Sequence, residues 1–332
     1  MRYLFVFFCS LIVSLHSDGQ VRWALVDSLY GPLPAGMHVY RTNDPIEGKP
    51  NIAYYVKADL KDRSLLFLAD TTTRRRLTPT GFFQKSQEPL LVVNTSFFSF
   101  TTHQNLNLVV NGKKTLAYHV HAIAGKGSDT LTWRHPMGSA IGIYKNRIAD
   151  VSWQFTDSAS RYPLAFQRPI TAFRDSVAAH SQQTFFRAAA SAKQNKGTTF
   201  SPAKWKVETA VGGGPVLLQD GQLNITNNEE MKFAGKAIGD KHPRTAMGYT
   251  NKGELIVLVV EGRNPGKADG LTLTQTATLL KELGCVEALN LDGGGSSCML
   301  VNGKETIRPS DKEGQRAVPG VFMIKRLRPL PK

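Results

Sequence analysis

The residues with the clearest chemical potential are Asp292-Gly293-Gly294-Gly295-Ser296-Ser297. Three successive glycines let backbone N–H groups come close to a bound group, and such a concavity suits phosphate or sugar oxygens. A bare tight turn needs one or two glycines, so three beside a carboxylate favour a site. Ser296 does not sit in a nucleophile elbow, because Cys298 occupies the position where the second flanking glycine is required. The same cysteine breaks a dinucleotide-binding loop, and the Gly-Lys-Ser/Thr of a Walker loop is missing. No histidine or acidic residue flanks Asp292 at metal-ligand spacing, so neither a metal nor a cofactor is expected.

The elements around this turn bring other charged groups towards it. Thr245–Thr250 reads as a strand, Asn251-Lys252-Gly253 as a turn and Leu255–Val260 as a fully apolar strand. Centring the turn on Lys252 sets Arg244 opposite Val260 and beside Glu261. Thr272 with Gln275 forms a capping box, Leu273, Ala277 and Leu280 make an apolar stripe at helical spacing, and Gly284 stops the helix. Val286–Leu291 is again a strand. Strand, helix and strand over 254–291 predict a βαβ unit with parallel strands, so Glu261 and Asp292 emerge at one sheet edge. Arg244 reaches that edge from the antiparallel neighbour.

Two carboxylates at one edge suit glycosidic bond cleavage, and Arg244 with Arg263 supplies donors fitted to a phosphate. Arg244 and Glu261 could equally form a simple cross-strand ion pair. Asn94, ending the apolar run from Leu90, could donate to a sugar hydroxyl or merely satisfy a turn. His242, just before Pro243-Arg244, could bind phosphate or move a proton. His119 and His121 alternate on an expected strand, a weak metal signal.

The rest of the chain sets the context. Its 332 residues, 41% hydrophobic, are enough for a substantial core. Arg2 followed by the apolar run Leu4–Leu15, with small Ser17 and Gly19 ahead of Gln20, reads as an export signal over 1–19, and 20–332 as one domain. A secreted or periplasmic protein is therefore expected, with no transmembrane segment. A formal charge of +15 favours anionic partners, and export favours a phosphorylated carbohydrate over nucleic acid. Arg74-Arg75-Arg76 reads more readily as a solvated loop than as a binding patch. Cys285 and Cys298 are expected to be buried thiols, because a hairpin through the glycine turn would hold them too far apart for a disulfide. Residues 150–206 are more polar, with a helix expected near Arg174–Ala192, and read as an insertion or a cover over the core. Residues 20–89 read as a β-rich extension. The fold class is α+β: a mixed β-sheet core, the βαβ unit at 254–291 and few flanking helices.

These residues resemble a known family. Asn290 to Ser297, followed by Met299 and Val301-Asn302-Gly303, is similar to the signature of the phosphodiester glycosidase family. Other similar blocks are Pro243-Arg244-Thr245-Ala246, Val260-Glu261-Gly262-Arg263, Gly270-Leu271-Thr272-Leu273, and Gly213-Gly214-Pro215 with Asp220-Gly221. Asn94-Thr95-Ser96-Phe97-Phe98 resembles an Asn-Gly-Gly-Phe-Phe block. The likeness extends over about 90–325. It departs at Glu261, where the family has Asp, and at Thr95-Ser96, which replace two glycines. The resemblance implies hydrolysis of a glycosyl phosphodiester at the anomeric carbon. It implies catalytic roles for Asp292, Glu261 and Arg244. Substrate contacts are implied for Asn94, Ser96, Gly213, Gly214, His242, Thr245, Arg263, Gly293, Gly294, Gly295, Ser296 and Ser297.

Overall fold

The computed structural model describes residues 20–327; the expected export signal at 1–19 lies outside the described residues. Strand content is 37% against 15% helix, so sheets position the functional groups. The strands that matter here are β1 (Ala53–Asp59), β2 (Leu91–Asn94), β3 (Gly138–Ile143), β4 (Ala149–Phe155), β5 (Thr209–Gly213) and β6 (Val216–Gln219). They are followed by β7 (Arg244–Thr250), β8 (Glu254–Val260), β9 (Cys285–Asn290), β10 (Met299–Val301) and β11 (Gly320–Arg326). Two helices frame the account, α1 (Gln182–Ser191) and α2 (Leu273–Glu282).

An eight-stranded sheet contains β1, β8, β7, β9 and β6 in that spatial order. Strands β7 and β8 pair with Arg244 opposite Val260, the register that the turn at Lys252 dictates. Leu255, Val257 and Val259 point into the central core, while Ile256, Leu258 and Val260 pack with Leu273, Ala277 and Leu280 of α2. Burial on both faces is why this strand reads as an unbroken apolar run rather than an alternating one. Thr272 caps α2 and exchanges hydrogen bonds with Gln275, and Gly284 takes the positive φ (83°) that ends it. Strands β8 and β9 both pair antiparallel with β7. They therefore share a direction, but β7 lies between them and no parallel ladder joins them directly.

Two of the connections between this sheet and the others run close to the site. The corner Gly213-Gly214-Pro215 carries the chain from β5, in a seven-stranded sheet with β3 and β4, into β6. The glycine turn after Asp292 leads from β9 to β10, which pairs with β2 in a five-stranded sheet that also holds β11. The expected hairpin between the strands flanking Asp292 is thus not formed. Gly294–Ser296 makes a 3-10 turn that throws the chain into another sheet. Cys285 and Cys298 are both free and buried, and burial pushes both thiols well above their usual range.

The segment 150–206 differs from a cover. Strand β4 lies inside the seven-stranded sheet and its Trp153 is fully buried. The helix is shorter than expected because Ser181 caps it, and upstream Phe173–Asp175 pairs with Trp133–His135. Tertiary pairing overrides the local helical pattern there. His119 and His121 lie on no strand; both are buried, which lowers their basicity, to about 4 for His121.

Leu280 joins α2 to the outer face of the eight-stranded sheet and is fully buried. Leu280→Ala should lower unfolding free energy by about 2–5 kcal/mol, measured by denaturant titration. A change within error would mean that α2 is not part of the cooperative core.

Candidate active site

Where the carboxyl ends of β9 and β2 meet, a cavity of about 280 Å³ is lined by Phe97, Phe233, Ala237, His242, Arg244, Arg263, Asp292, Gly293, Gly294, Gly295 and Arg316. Seven of the expected site residues are among them. Asp292 stands directly after β9 and its position is fixed through the backbone. Its N–H donates to the Thr95 carbonyl (2.7 Å), and its own carbonyl accepts from the Asn94 amide (2.6 Å). Packing explains two of the glycines. A Cβ at Gly293 would meet the Pro243 carbonyl oxygen at 2.8 Å, and one at Gly295 would meet both Arg316 and Asp311 at 2.1 Å.

Asp292 retains some contact with solvent, but protein atoms enclose its carboxyl. That enclosure raises its pKa to about 7, against a Ser296 hydrogen bond, the Arg316 charge and the Gly293 N–H, which favour the carboxylate. Near neutral pH the group therefore divides between acid and base forms.

Arg244 is 2% exposed. Its guanidinium donates to the carbonyls of Leu271 (2.8 Å) and Asp240 (3.1 Å) and lies 5.8 Å from the Phe233 ring centre. No carboxylate lies within ion-pair distance of it among the described residues. Burial lowers its pKa to about 10, with the Arg263 charge adding to the effect, so it stays cationic at neutral pH. A buried cation held only by carbonyls and a ring is costly unless an anion joins it.

Arg263 occupies the left-handed region (φ 58°), which is uncommon for a long side chain, and its guanidinium packs against Gly294. It donates to His242 Nδ1 at 3.3 Å. The acceptor role leaves the His242 proton on Nε2. Burial and the charges of Arg244 and Arg263 lower the His242 pKa, so the ring is neutral at pH 7. Arg316 completes the ring of cations, paired with Asp311 through two hydrogen bonds (2.7 and 2.9 Å) and reaching the Ser296 hydroxyl at 3.5 Å.

Several expected residues do not face this cavity. Glu261 is 5% exposed, and its two carboxylate oxygens accept from the Asn264 amide (2.7 Å) and the Arg308 N–H (3.0 Å). It braces two loops and forms no ion pair with Arg244. Asn94 is fully buried, with its oxygen accepting from the Thr245 hydroxyl (2.9 Å) and the Cys298 N–H (3.1 Å). The Thr245 hydroxyl also contacts Ser297 at 3.2 Å, and Ser96 contacts Thr95 at 3.4 Å; all are buried. Gly213 packs on the Asn290 carbonyl and Leu291, and Gly214 beside Glu230 and Lys232. These residues hold the walls together. Sequence reading missed Phe97, Phe233, Ala237 and Arg316 as lining residues. Phe97 lay within the Asn94–Phe98 block, whereas Arg316 lies in a loop without periodic signal. Among the described residues, no group of three or more His, Cys, Asp or Glu side chains is arranged to hold a metal ion.

The family model for phosphodiester glycosidase matches residues 87–325. The chain belongs to this family. A relative from Mus musculus, N-acetylglucosamine-1-phosphodiester alpha-N-acetylglucosaminidase, is 30% identical over 102 residues, which are 30% of this chain and 19% of that protein. The matched segment is thus a small part of the relative's length. The solved catalytic domain of the zebrafish protein of that name, auto-inhibited by its pro-peptide, superposes with a TM-score of 0.57 at 18% identity, over 90% of this chain and 85% of that one. A Burkholderia pseudomallei K96243 protein named provisionally as exported gives 0.56 at 17% identity, over 86% and 75%. At these identities the superpositions speak for a shared phosphodiester glycosidase fold.

The buried groups make two measurable demands. Unfolded, the Asp292 carboxyl titrates near 3.8, and folded near 7. Its contribution is therefore intact below the lower value and lost as pH rises through the upper one. Asp292→Asn carries no such penalty, so its melting-temperature advantage over wild type should grow between about pH 4 and 7 and level off above. A pH-independent difference would contradict the enclosure of this carboxyl. Inorganic phosphate at millimolar concentration should raise the wild-type melting temperature by stabilising Arg244. Arg244→Gln should abolish that rise, and an equal rise in both proteins would show that the anion binds elsewhere.

Proposed function

We propose that this protein hydrolyses glycosyl-1-phosphodiester linkages in phosphate-containing glycans, in the secreted or periplasmic space. The observation that carries the reading is the buried, carboxylate-free guanidinium of Arg244 in one cavity with Asp292. The pattern of Arg2, Leu4–Leu15 and Gly19 supports export, and the names of the mouse and zebrafish relatives supply the chemical class.

In this reading Arg244, Arg263 and Arg316 bind the phosphate, and Asp292 as carboxylate takes a proton from water attacking the anomeric carbon. The bond from that carbon to the phosphate oxygen breaks, and its electron pair leaves with the phosphate. The products are the free sugar and a phosphate monoester. Negative charge grows on the leaving oxygens, and guanidiniums already fixed in the cavity wall stabilise it with little reorganisation. His242, neutral with its proton on Nε2, is a further donor.

The occupied carboxylate of Glu261 argues against an ordinary glycosidase. Cleaving an alcohol from a sugar commonly takes a second carboxyl as acid, and this one is engaged by Asn264 and Arg308. A phosphate leaves without that help. The same distinction separates this reading from hydrolysis of plain polysaccharides, and turnover separates it from a non-catalytic binding protein.

The purified protein should hydrolyse an α-N-acetylglucosamine-1-phosphodiester and leave the corresponding p-nitrophenyl glycoside largely intact. In ¹⁸O-labelled water the label should enter the sugar; label in the phosphate would refute attack at carbon. Asp292→Asn should lower kcat by on the order of 10³ with the fold retained. With Asp292 as the base, kcat/KM should rise with pH through an apparent pKa near 7. A fall over that range would reassign it as the acid.

A further inference from the structure

Beside the cavity lies a feature that the proposed reaction leaves unused. Arg76, the last of three successive arginines, donates from Nε to His103 Nδ1 at 2.8 Å. Its guanidinium carbon lies 4.9 Å from the Phe98 ring centre and 5.7 Å from that of Phe100. The guanidinium of Arg316 also lies close to Phe100, 5.4 Å from the ring centre. Phe100 is thus shared by a cation that lines the cavity and one that does not.

Three observations make this a built surface. Phe98 is buried whereas Phe100 is 64% exposed, so most of the second ring is offered to solvent. The loop presenting it is closed by hydrogen bonds from Ser99 N–H to the Gln104 carbonyl (3.0 Å), from His103 N–H to the Ser99 carbonyl (2.9 Å) and from Thr102 N–H to the Ser99 hydroxyl (3.1 Å). Arg316 is neutralised by Asp311, but Arg76 has no carboxylate within ion-pair distance among the described residues. A guanidinium without a counter-ion among the described residues, beside a largely exposed aromatic ring, is suited to an anion joined to a flat, partly apolar group.

We propose that Phe100 and Arg76 form a subsite for the next repeat of a polyanionic glycan, in which Phe100 supports the sugar beyond the scissile phosphate and Arg76 binds the phosphate after it. The inference rests on the function proposed above and extends it from single linkages to polymers of sugar phosphates. Both guanidiniums lie close to the Phe100 ring (5.4 and 5.7 Å), so one surface offers cations and a ring together to a chain in which phosphates and sugars alternate. The formal charge of +15 favours the approach of such a polyanion.

The test uses methyl-capped oligomers of one, two and four N-acetylglucosamine units joined by 1→6 phosphodiesters. Binding is measured calorimetrically to the full chain carrying Asp292→Asn, so that it does not depend on turnover. Two repeats should bind about tenfold more tightly than one, and four little better than two. Adding Phe100→Ala or Arg76→Gln should erase that gain while one-repeat affinity stays within about twofold. On the otherwise wild-type chain, the same two changes should raise KM for two repeats and leave turnover of one repeat unchanged. Affinity independent of length overturns the proposal, as does a gain that survives both substitutions. Equal binding of a single-stranded oligodeoxynucleotide of matched charge also overturns it, since the surface would then read charge alone. Length-dependent binding without hydrolysis by the wild-type chain would support the subsite and refute the enzymatic reading.

Discussion

Arg244 imposes the constraint around which the site is organised. A guanidinium almost removed from water must be surrounded by acceptors, and here the acceptors are backbone carbonyls and a ring face rather than a carboxylate. Carbonyls satisfy its hydrogen bonds without cancelling its charge. Burial keeps His242 neutral, and the charges of Arg244 and Arg263 add to that effect. The cavity is thus prepared electrostatically for an anion before one arrives.

The chemistry follows from which acids remain available. Asp292 sits over the glycine turn with its basicity raised into the neutral range, and Glu261, the other carboxylate near the edge, is consumed in bracing loops. One free carboxyl beside the guanidiniums of Arg244 and Arg263, which pair with no carboxylate among the described residues, favours a leaving group that departs already charged. The acidic residue and the arginines are therefore complementary halves of one specification, with the bond type set by the cations as much as by Asp292.

Much of this was legible in the sequence where a local rule governs. The register of Arg244 against Val260 follows from a short turn, and the limits of α2 follow from Thr272, Gln275 and Gly284. Convergence of Arg244 and Asp292 followed from strand directions, even though the order of strands was not foreseen. What sequence could not give was side-chain direction at the edge. Asn94 and Thr245 have the right positions and chemistry for a ligand, yet each is consumed by the other and by the backbone around Asp292. Glu261 fails for the same reason, since its partners Asn264 and Arg308 are brought to it by loops with no periodic pattern. Arg316 was invisible for the converse reason. Nothing local marks a loop arginine as the wall of a cavity whose other side lies over 50 residues away.

The turn after Asp292 is also a seam, where one sheet hands the chain to another and Asn94 stitches the two together. A side chain mounted on such a join is held by both sheets at once. The protein therefore trades adaptability in this wall for fidelity of placement. Adjustment to differing substrates must come from the far side, where Phe233 and Ala237 belong to a short stretch between strands rather than to the sheets themselves.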